Sequence, residues 1–546
     1  MDNNELLTIP FLAGESFRKY GKNKAMGFVG EDVITYHQLR ERTRSVMRLL
    51  EDLRITPGDK VAILSSSMPN WGVTYLAITS MGAVAVPILP DFTPAEIANV
   101  LNHSESRALF VSGNLAYKVA GLSQESLETV IAIDDFSITS GSRDAGFIAG
   151  SEPAGKYNVA EEDVAVLIYT SGTTGKSKGV MLTHKNICFM ARQVMTLQHV
   201  VESDVFLSIL PLSHSYEQTL GLVLPLFNGA MIWYLRKAPT PSVLLPALQM
   251  VRPTTMLTVP LIMEKIYFGK VAPTFNKNRL VAFLYGMPLF RRLLNRIAGK
   301  KIYKAFGGNL RFFGVGGAKL NPTVEQFLLD AKFPYAIGYG LTETSPLLAG
   351  TKVGSCRLGS TGPAMQGVTL KINNPDPVTG EGEIWARGEN VMKGYFREPA
   401  LTADVLTPDG WFRTGDLGVI GKNGYLSIRG RLKNMIVGSS GENIYPEEIE
   451  SVINDFGHVI ESLVVQKKGK LVAMVHLNLE ELQAKYAQMK KDFTDQAELI
   501  INEYLEELQR YVNSRVNRYS QLQLVVYQPE PFQKTATLKI KRFLYC

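Results

Sequence analysis

Residues 169 to 180 read YTSGTTGKSKGV, a concentration of small, hydroxylated and basic residues that suits an anionic ligand. Glycines at 172, 175 and 179 let the backbone approach a ligand closely, while Thr170, Ser171, Thr173, Thr174 and Lys176 surround it with hydroxyls and a cation. The apolar run Val164 to Ile168 precedes the loop and reads as a strand, so the loop would sit at a strand end, where a polyphosphate can be cradled. Gly175-Lys176-Ser177 ends like the G-x-x-x-x-G-K-S loop of kinases, but that pattern needs glycine at 170 and the chain has Thr170. The plain alternative is a polar solvent loop.

Other segments carry complementary chemistry. In Gly338-Tyr339-Gly340-Leu341-Thr342-Glu343 the aromatic ring offers a stacking face for a base, and Glu343 offers a hard oxygen for Mg²⁺. Gly316, Gly317 and Ala318 follow the apolar run Phe312 to Val315 and carry no bulky side chain, so a flat purine can lie against their backbone; a tight turn explains them equally well. Asp416, just after Gly415, can accept from both hydroxyls of a ribose, although Asp in such a place is often only a turn former.

Together with WFRTGD at 411 to 416, GRLKNMI at 430 to 436 and KTATLKIKR at 534 to 542, these motifs resemble those of the AMP-forming adenylating enzymes. That superfamily includes acyl-CoA synthetases, peptide-synthetase adenylation domains and firefly luciferase. With GENIYP at 441 to 446 the set is most similar to the long-chain fatty acid CoA ligases. The resemblance implies ATP, Mg²⁺ and coenzyme A as cofactors and a fatty acid as substrate. It places the phosphates on 170–176, including Gly172 and Gly175, and the metal at Thr170 and Glu343. Tyr339, within the motif that holds Gly340 and Thr342, goes to the adenine, Asp416 to the ribose, and Arg431 to the ribose or phosphate. His214, in Leu210-Pro211-Leu212-Ser213-His214, matches a histidine near the carboxylate. Lys433 takes the hinge position, Gly441 belongs to the turn used in the second half-reaction, and Lys539 matches the lysine on the substrate carboxylate and α-phosphate. Three departures stand out: Lys433 where many relatives have Asp, Leu538 where many have Gly, and Gln533 where Pro is usual.

Alternatives remain at this stage. The acyl group could go to acyl-carrier protein instead of coenzyme A, or the acid could be aryl or amino. A nucleotide-binding membrane-surface protein without chemistry is the non-enzyme reading; joint retention of Thr170, Glu343, Asp416, Arg431 and Lys539 argues against it.

These residues need a scaffold, and 546 residues at 45% hydrophobic and 20% charged suffice for two to four ordinary domains. Strand-like runs alternate with helical patterns, the mark of an α/β fold with mostly parallel sheet. The expectation is a large N-terminal domain, 1–432, of mostly parallel sheets with helices, and a small mobile C-terminal α/β lid, 433–546. In the lid a helix starts at Pro446, strands cover Leu463 to Val465 and Leu471 to Leu477, and a long helix runs to about Tyr519. No charge occurs between Lys60 and Asp91, yet Ser65 to Asn70 reads as a turn, so the stretch is taken as a buried βαβ unit and not a membrane span.

The net charge of +7 is too mild to indicate nucleic acid. Three scattered cysteines argue against a disulfide framework or metal cluster. The first residues lack a basic segment followed by an apolar run, so no secretory signal is expected. A cytoplasmic enzyme is the expectation, with one qualification. Between Glu264 and Glu325 there is no acidic residue, while twelve Lys and Arg are interleaved with bulky apolar residues. Residues 265–319 are therefore expected to attach the protein peripherally to the inner face of a membrane. Oligomeric state and acyl chain length are not legible in any motif.

Overall fold

The computed structural model describes residues 6–122, 126–141, 145–170, 177–276, 279–438, 442–467, 469–480, 482, 497–535 and 539–546. The uncharged stretch is a βαβ unit: strand Lys60–Leu64, helix Pro69–Ser80 and strand Val84–Ile88, with the strands parallel. Helices cover both faces of such a sheet, so its strands are apolar throughout and mimic a membrane span in hydropathy. Among the described residues no helix is long and apolar enough to cross a membrane.

Two eight-stranded sheets form the body. One contains Lys60–Leu64 and Val84–Ile88, with Val164–Thr170 next to Val84–Ile88 and Lys178–Thr183 folded back antiparallel on it. In the other, Tyr335–Gly340, Phe312–Val315, Thr255–Thr258, Val205–Ser208 and Met231–Tyr234 lie side by side and parallel, and Leu347–Gly350 closes one edge antiparallel. Neighbouring parallel strands end together, so the segments after Ser208, Thr258, Val315 and Gly340 meet at one edge. Ligands of open α/β sheets bind at such carboxyl ends.

The return from Tyr335–Gly340 to Leu347–Gly350 is too close for any side chain at Gly340: a Cβ there would lie 1.8 Å from the carbonyl oxygen of Pro346. Only a backbone shift relieves that clash. Gly340→Ala is therefore expected to lower stability by about 1 to 3 kcal/mol or more, read as a lower urea midpoint with an unchanged slope.

A four-stranded antiparallel sheet follows, ordered Val368–Asn373, Gly382–Gly388, Phe412–Ile420 and Leu426–Arg431. Beyond it, helix Pro446–Asn454 and helix Ala497–Asn513 flank strands Val459–Lys467, Lys470–Leu477 and Leu524–Tyr527 around an apolar cluster of their own. The last helix stops at Asn513, short of the expected end near Tyr519. The Asn513 side chain accepts the Leu522 N–H at 2.7 Å and donates to its carbonyl at 3.0 Å, folding the following chain back. Asn517 then caps a separate single turn, Arg518–Ser520. Phe456 lies just outside the first helix, and its ring packs on Tyr504 and Tyr511 of the second.

Candidate active site

Register puts the first charged pair in place. Strands Phe412–Ile420 and Leu426–Arg431 pair with Asp416 opposite Arg431, and Arg431 Nε lies 2.8 Å from Asp416 Oδ1. The Tyr339 hydroxyl, from the carboxyl end of the neighbouring sheet, donates to Asp416 Oδ2 at 2.7 Å. Asp416 is almost fully buried; burial pushes its pKa up, against the attraction of Arg431. Tyr339 thus has two uses, a ring in the motif assigned to adenine and a hydroxyl that holds the carboxylate assigned to ribose.

Glu343 lies in the short turn Thr342–Thr344 after Gly340, and the Tyr395 hydroxyl donates to its Oε1 at 2.9 Å. The Lys178 ammonium sits over the Tyr395 ring, 4.8 Å from its centroid, and Lys178 is the register partner of Thr170. This chain of contacts connects Thr170 to Glu343 through two residues that the sequence reading did not single out. The signal was present as Gly394-Tyr395-Phe396, where Gly394 has φ of 146°, but nothing in its spacing points to Glu343. Among the described residues no three His, Cys, Asp or Glu side chains form a metal cage. Mg²⁺ needs none: it commonly takes one or two carboxylates, water and substrate phosphates. Glu343 with the Thr170 hydroxyl fits that donor set.

After Val315 the chain turns through Gly316 and Gly317. Gly317 has φ of +84°, and a Cβ on Gly316 would approach the Tyr216 ring to 3.2 Å. Together with exposed Ala318 these residues make a side-chain-free ledge beside Tyr339, compatible with a planar base. Tyr216 also lines a narrow apolar cavity with Leu220, Leu224, Leu257, Ala336 and Gly338. Its volume of about 30 Å³ holds a few waters at most, so an acyl chain requires these side chains to move.

His214 caps the short helical turn Ser215–Glu217: its Nδ1 accepts the Tyr216 N–H at 3.3 Å, which leaves the ring proton on Nε2. Burial, and then the positive charge of Lys539, push its pKa down to about 4, so the imidazole is neutral at physiological pH. Lys539 arrives from the carboxyl-terminal unit on a tight hairpin in which Lys534 pairs with Ile540 and the Thr535 N–H donates to the Lys539 carbonyl at 2.8 Å. Its side chain keeps contact with solvent, but the surrounding protein and Arg431 lower the pKa of its ammonium, opposed by Asp416 and Glu343. On this hairpin Lys539 comes near enough for its charge to act on His214 and Asp416, and for Arg431, Asp416 and Glu343 to act on its ammonium. Contacts that hold this arrangement include the Asp455 carboxylate, which accepts from Asn321 and, at 3.2 Å, from Thr323, and the Tyr445 hydroxyl, which donates to Glu381 at 2.8 Å.

Lys433 is exposed in a single turn, Leu432–Asn434, where the chain leaves strand Leu426–Arg431 for the carboxyl-terminal unit. Ser171, Gly172, Thr173, Thr174, Gly175, Lys176, Gly441 and Leu538 lie outside the described residues.

Sequence reasoning also passed over Glu217, three residues beyond His214. Its Oε1 accepts the Ser208 hydroxyl at 2.5 Å, its Oε2 is buried without a partner among the described residues, and Tyr234 and Tyr216 are its titratable neighbours. Burial pushes its pKa from 4.5 up to about 8. The folded state then holds a proton that the unfolded state releases above pH 4.5, so this group's contribution is fully present below 4.5 and is lost as pH rises toward 8. Glu217→Gln should remove that dependence: between pH 5 and 8 its stability relative to wild type is expected to grow by about 1.4 kcal/mol per pH unit, read from denaturant midpoints. A constant difference across that range would contradict the assignment.

The family model described as AMP-binding enzyme matches residues 15–396. Fatty acyl-CoA synthetase A of Dictyostelium discoideum is 27% identical, with 93% of this chain and 83% of that protein covered. The long-chain-fatty-acid–[acyl-carrier-protein] ligase AEE15 of Arabidopsis thaliana is 27% identical, covering 88% of this chain and 78% of its own. Among solved structures, O-succinylbenzoate coenzyme A synthetase (MenE) from Bacillus subtilis, in complex with ATP and magnesium ion, has a TM-score of 0.77 at 22% identity, over 97% of this chain and 98% of that one, a likeness of fold. With a family match over residues 15–396, most of its length, this chain belongs to the family of AMP-binding enzymes.

Proposed function

We propose that the chain activates a fatty acid with ATP and transfers the acyl group to coenzyme A. The observation that carries this reading is the convergence of Lys539, from one end of the chain, on Asp416, Arg431, Glu343 and His214. A carboxylate is a poor acyl donor. In the first half-reaction its oxygen attacks the α-phosphorus of ATP, the bond from that phosphorus to the bridging oxygen breaks, and pyrophosphate leaves. Lys539 supplies positive charge as the transition state forms, Asp416 and Arg431 orient the ribose and phosphate, and neutral His214 lies beside the acid without adding charge. Mg²⁺ held by Glu343 and Thr170 would neutralise the phosphates. In the second half-reaction the thiol sulfur attacks the acyl carbon and AMP leaves, the thiol proton passing to solvent. No cysteine nucleophile is needed.

This reading divides the chain into a body, 1–432, and a lid, 433–546, that turns about Lys433, so that Lys539 leaves and the turn at Gly441 takes part in thioester formation. The apolar cavity beside Tyr216 supports an aliphatic acid, as do the names of the fatty-acid relatives. A carrier-protein acceptor is the second reading, favoured by the Arabidopsis relative. We place the enzyme peripherally at the inner face of a membrane, meeting it within 265–319. Pyrophosphate release measured across acids from acetate to oleate tests the substrate, and competition between coenzyme A and acyl-carrier protein tests the acceptor. Release that peaks with long acids and a coenzyme A thioester as product are expected. No acid-dependent release would favour the non-enzyme reading.

A further inference from the structure

We propose, resting on the peripheral-membrane reading, that the helical hairpin 279–305 is the docking element and that its occupant is an anionic lipid surface. Helix Arg279–Tyr285 turns into helix Pro288–Ala305, and the large side chains Phe283, Met287, Leu289, Phe290, Leu293 and Ile297 all stand exposed on this one hairpin. Leu289 is 78% exposed and Phe283 65%, and it is their clustering on one segment, not the exposure of any one of them, that marks a patch. Leu289, Leu293 and Ile297 recur every four residues and form one stripe of the second helix.

The opposite face of that helix is fixed to the body. Asn295, Gly299 and Ile302 are buried, a Cβ on Gly299 would lie 2.5 Å from that of Ala331, and Asn295 donates to Asp330 at 3.1 Å. Arg291 is drawn inward to the same carboxylate, 3.0 Å away, so it is a structural cation and not part of the docking surface. Arg296 and Lys300 form the exposed row beside the apolar stripe, and Arg292, although exposed, reaches Asp330 at 3.8 Å. No acidic residue occurs between Glu264 and Glu325, so the hairpin's own charged side chains are all cations. An apolar ridge beside exposed cations complements a bilayer whose headgroups are negative and whose interior accepts the ridge. Protein partners more often meet surfaces from whose centre charge, and lysine above all, is depleted.

The test is sedimentation of the full chain with vesicles of phosphatidylglycerol and phosphatidylcholine, and with phosphatidylcholine alone, at low and high salt. Wild type is expected to bind the anionic vesicles at low salt, with release at high salt. Each cation at such a surface is worth about fivefold in binding, so Arg296→Glu with Lys300→Glu should weaken it by about 25-fold or more. Leu289→Ser with Leu293→Ser leaves the charge intact and should also weaken it. Both pairs are solvent-exposed, and unchanged melting and unchanged turnover of a short soluble acid would show that the fold is kept. Binding by wild type that neither variant reduces would overturn the hairpin while leaving the peripheral reading standing. No binding to anionic vesicles would overturn both. Equal binding to neutral vesicles, or a ridge-dependent dimer in place of vesicle binding, would overturn the lipid assignment.

Discussion

Lys539→Ala is expected to slow acyl-adenylate formation from acid and ATP by about 100- to 1,000-fold or more, while a supplied acyl adenylate is still converted to thioester. The ammonium lies within the electrostatic reach of Asp416, Glu343 and Arg431, yet it is carried on a hairpin from the other end of the chain, so it can serve one half-reaction and be absent from the other. Protein atoms around it already disfavour its charge, and Asp416 and Glu343 partly restore it. Substrate carboxylate and phosphates would complete that restoration, so the charge is best supported when the site is loaded. Rapid-quench measurement of adenylate, beside thioester formation from supplied adenylate, separates the two steps. An equal loss in both would contradict the assigned role.

Lys433→Pro should leave adenylate formation near wild type and stop thioester synthesis, with a loss of about 100-fold or more in the second step if rotation of the lid is required for it. Proline fixes φ near −65° and removes the backbone N–H. Lys433 sits in the first turn of the short segment Leu432–Asn434, where a helical φ is already in place and no intrahelical partner is required of that N–H. The substitution therefore suits the arrangement in which Lys539 lies within electrostatic reach of Asp416 and opposes any other backbone angle at the junction. Its side chain is exposed, so a loss of activity would not come from a lost packing contact. Wild-type thioester formation by this variant would remove Lys433 from the hinge.

Much of the site was legible because its residues depend on local geometry. Gly316, Gly317 and Glu343 follow apolar strands and Gly340 ends one, and both the strand and the break after it leave a mark in the sequence. The apolar strand Lys60–Leu64 was likewise readable from punctuation alone. What escaped is tertiary. Tyr395 reaches Glu343 across 52 residues and Tyr339 reaches Asp416 across 77, distances over which no periodicity operates. Glu217 reads as an ordinary helical acid until the fold buries it against Ser208. Arg291 and Arg296 belong to one basic run, and only the packing of their helix against Asp330 turns the first inward and leaves the second outside. The helix end at Asn513 depended on side-chain bonds to Leu522, a partner nine residues further on.

The central claim is that the acid attacks the α-phosphorus of ATP and is then passed to a thiol. Supplying palmitate labelled with heavy oxygen in its carboxylate, with ATP, Mg²⁺ and coenzyme A, and analysing the products by mass spectrometry follows the bond that forms. One labelled oxygen in AMP, none in pyrophosphate, and palmitoyl-CoA that keeps the other is the predicted result. Label in inorganic phosphate with ADP as product, or thioester formed with no label in AMP, would contradict it.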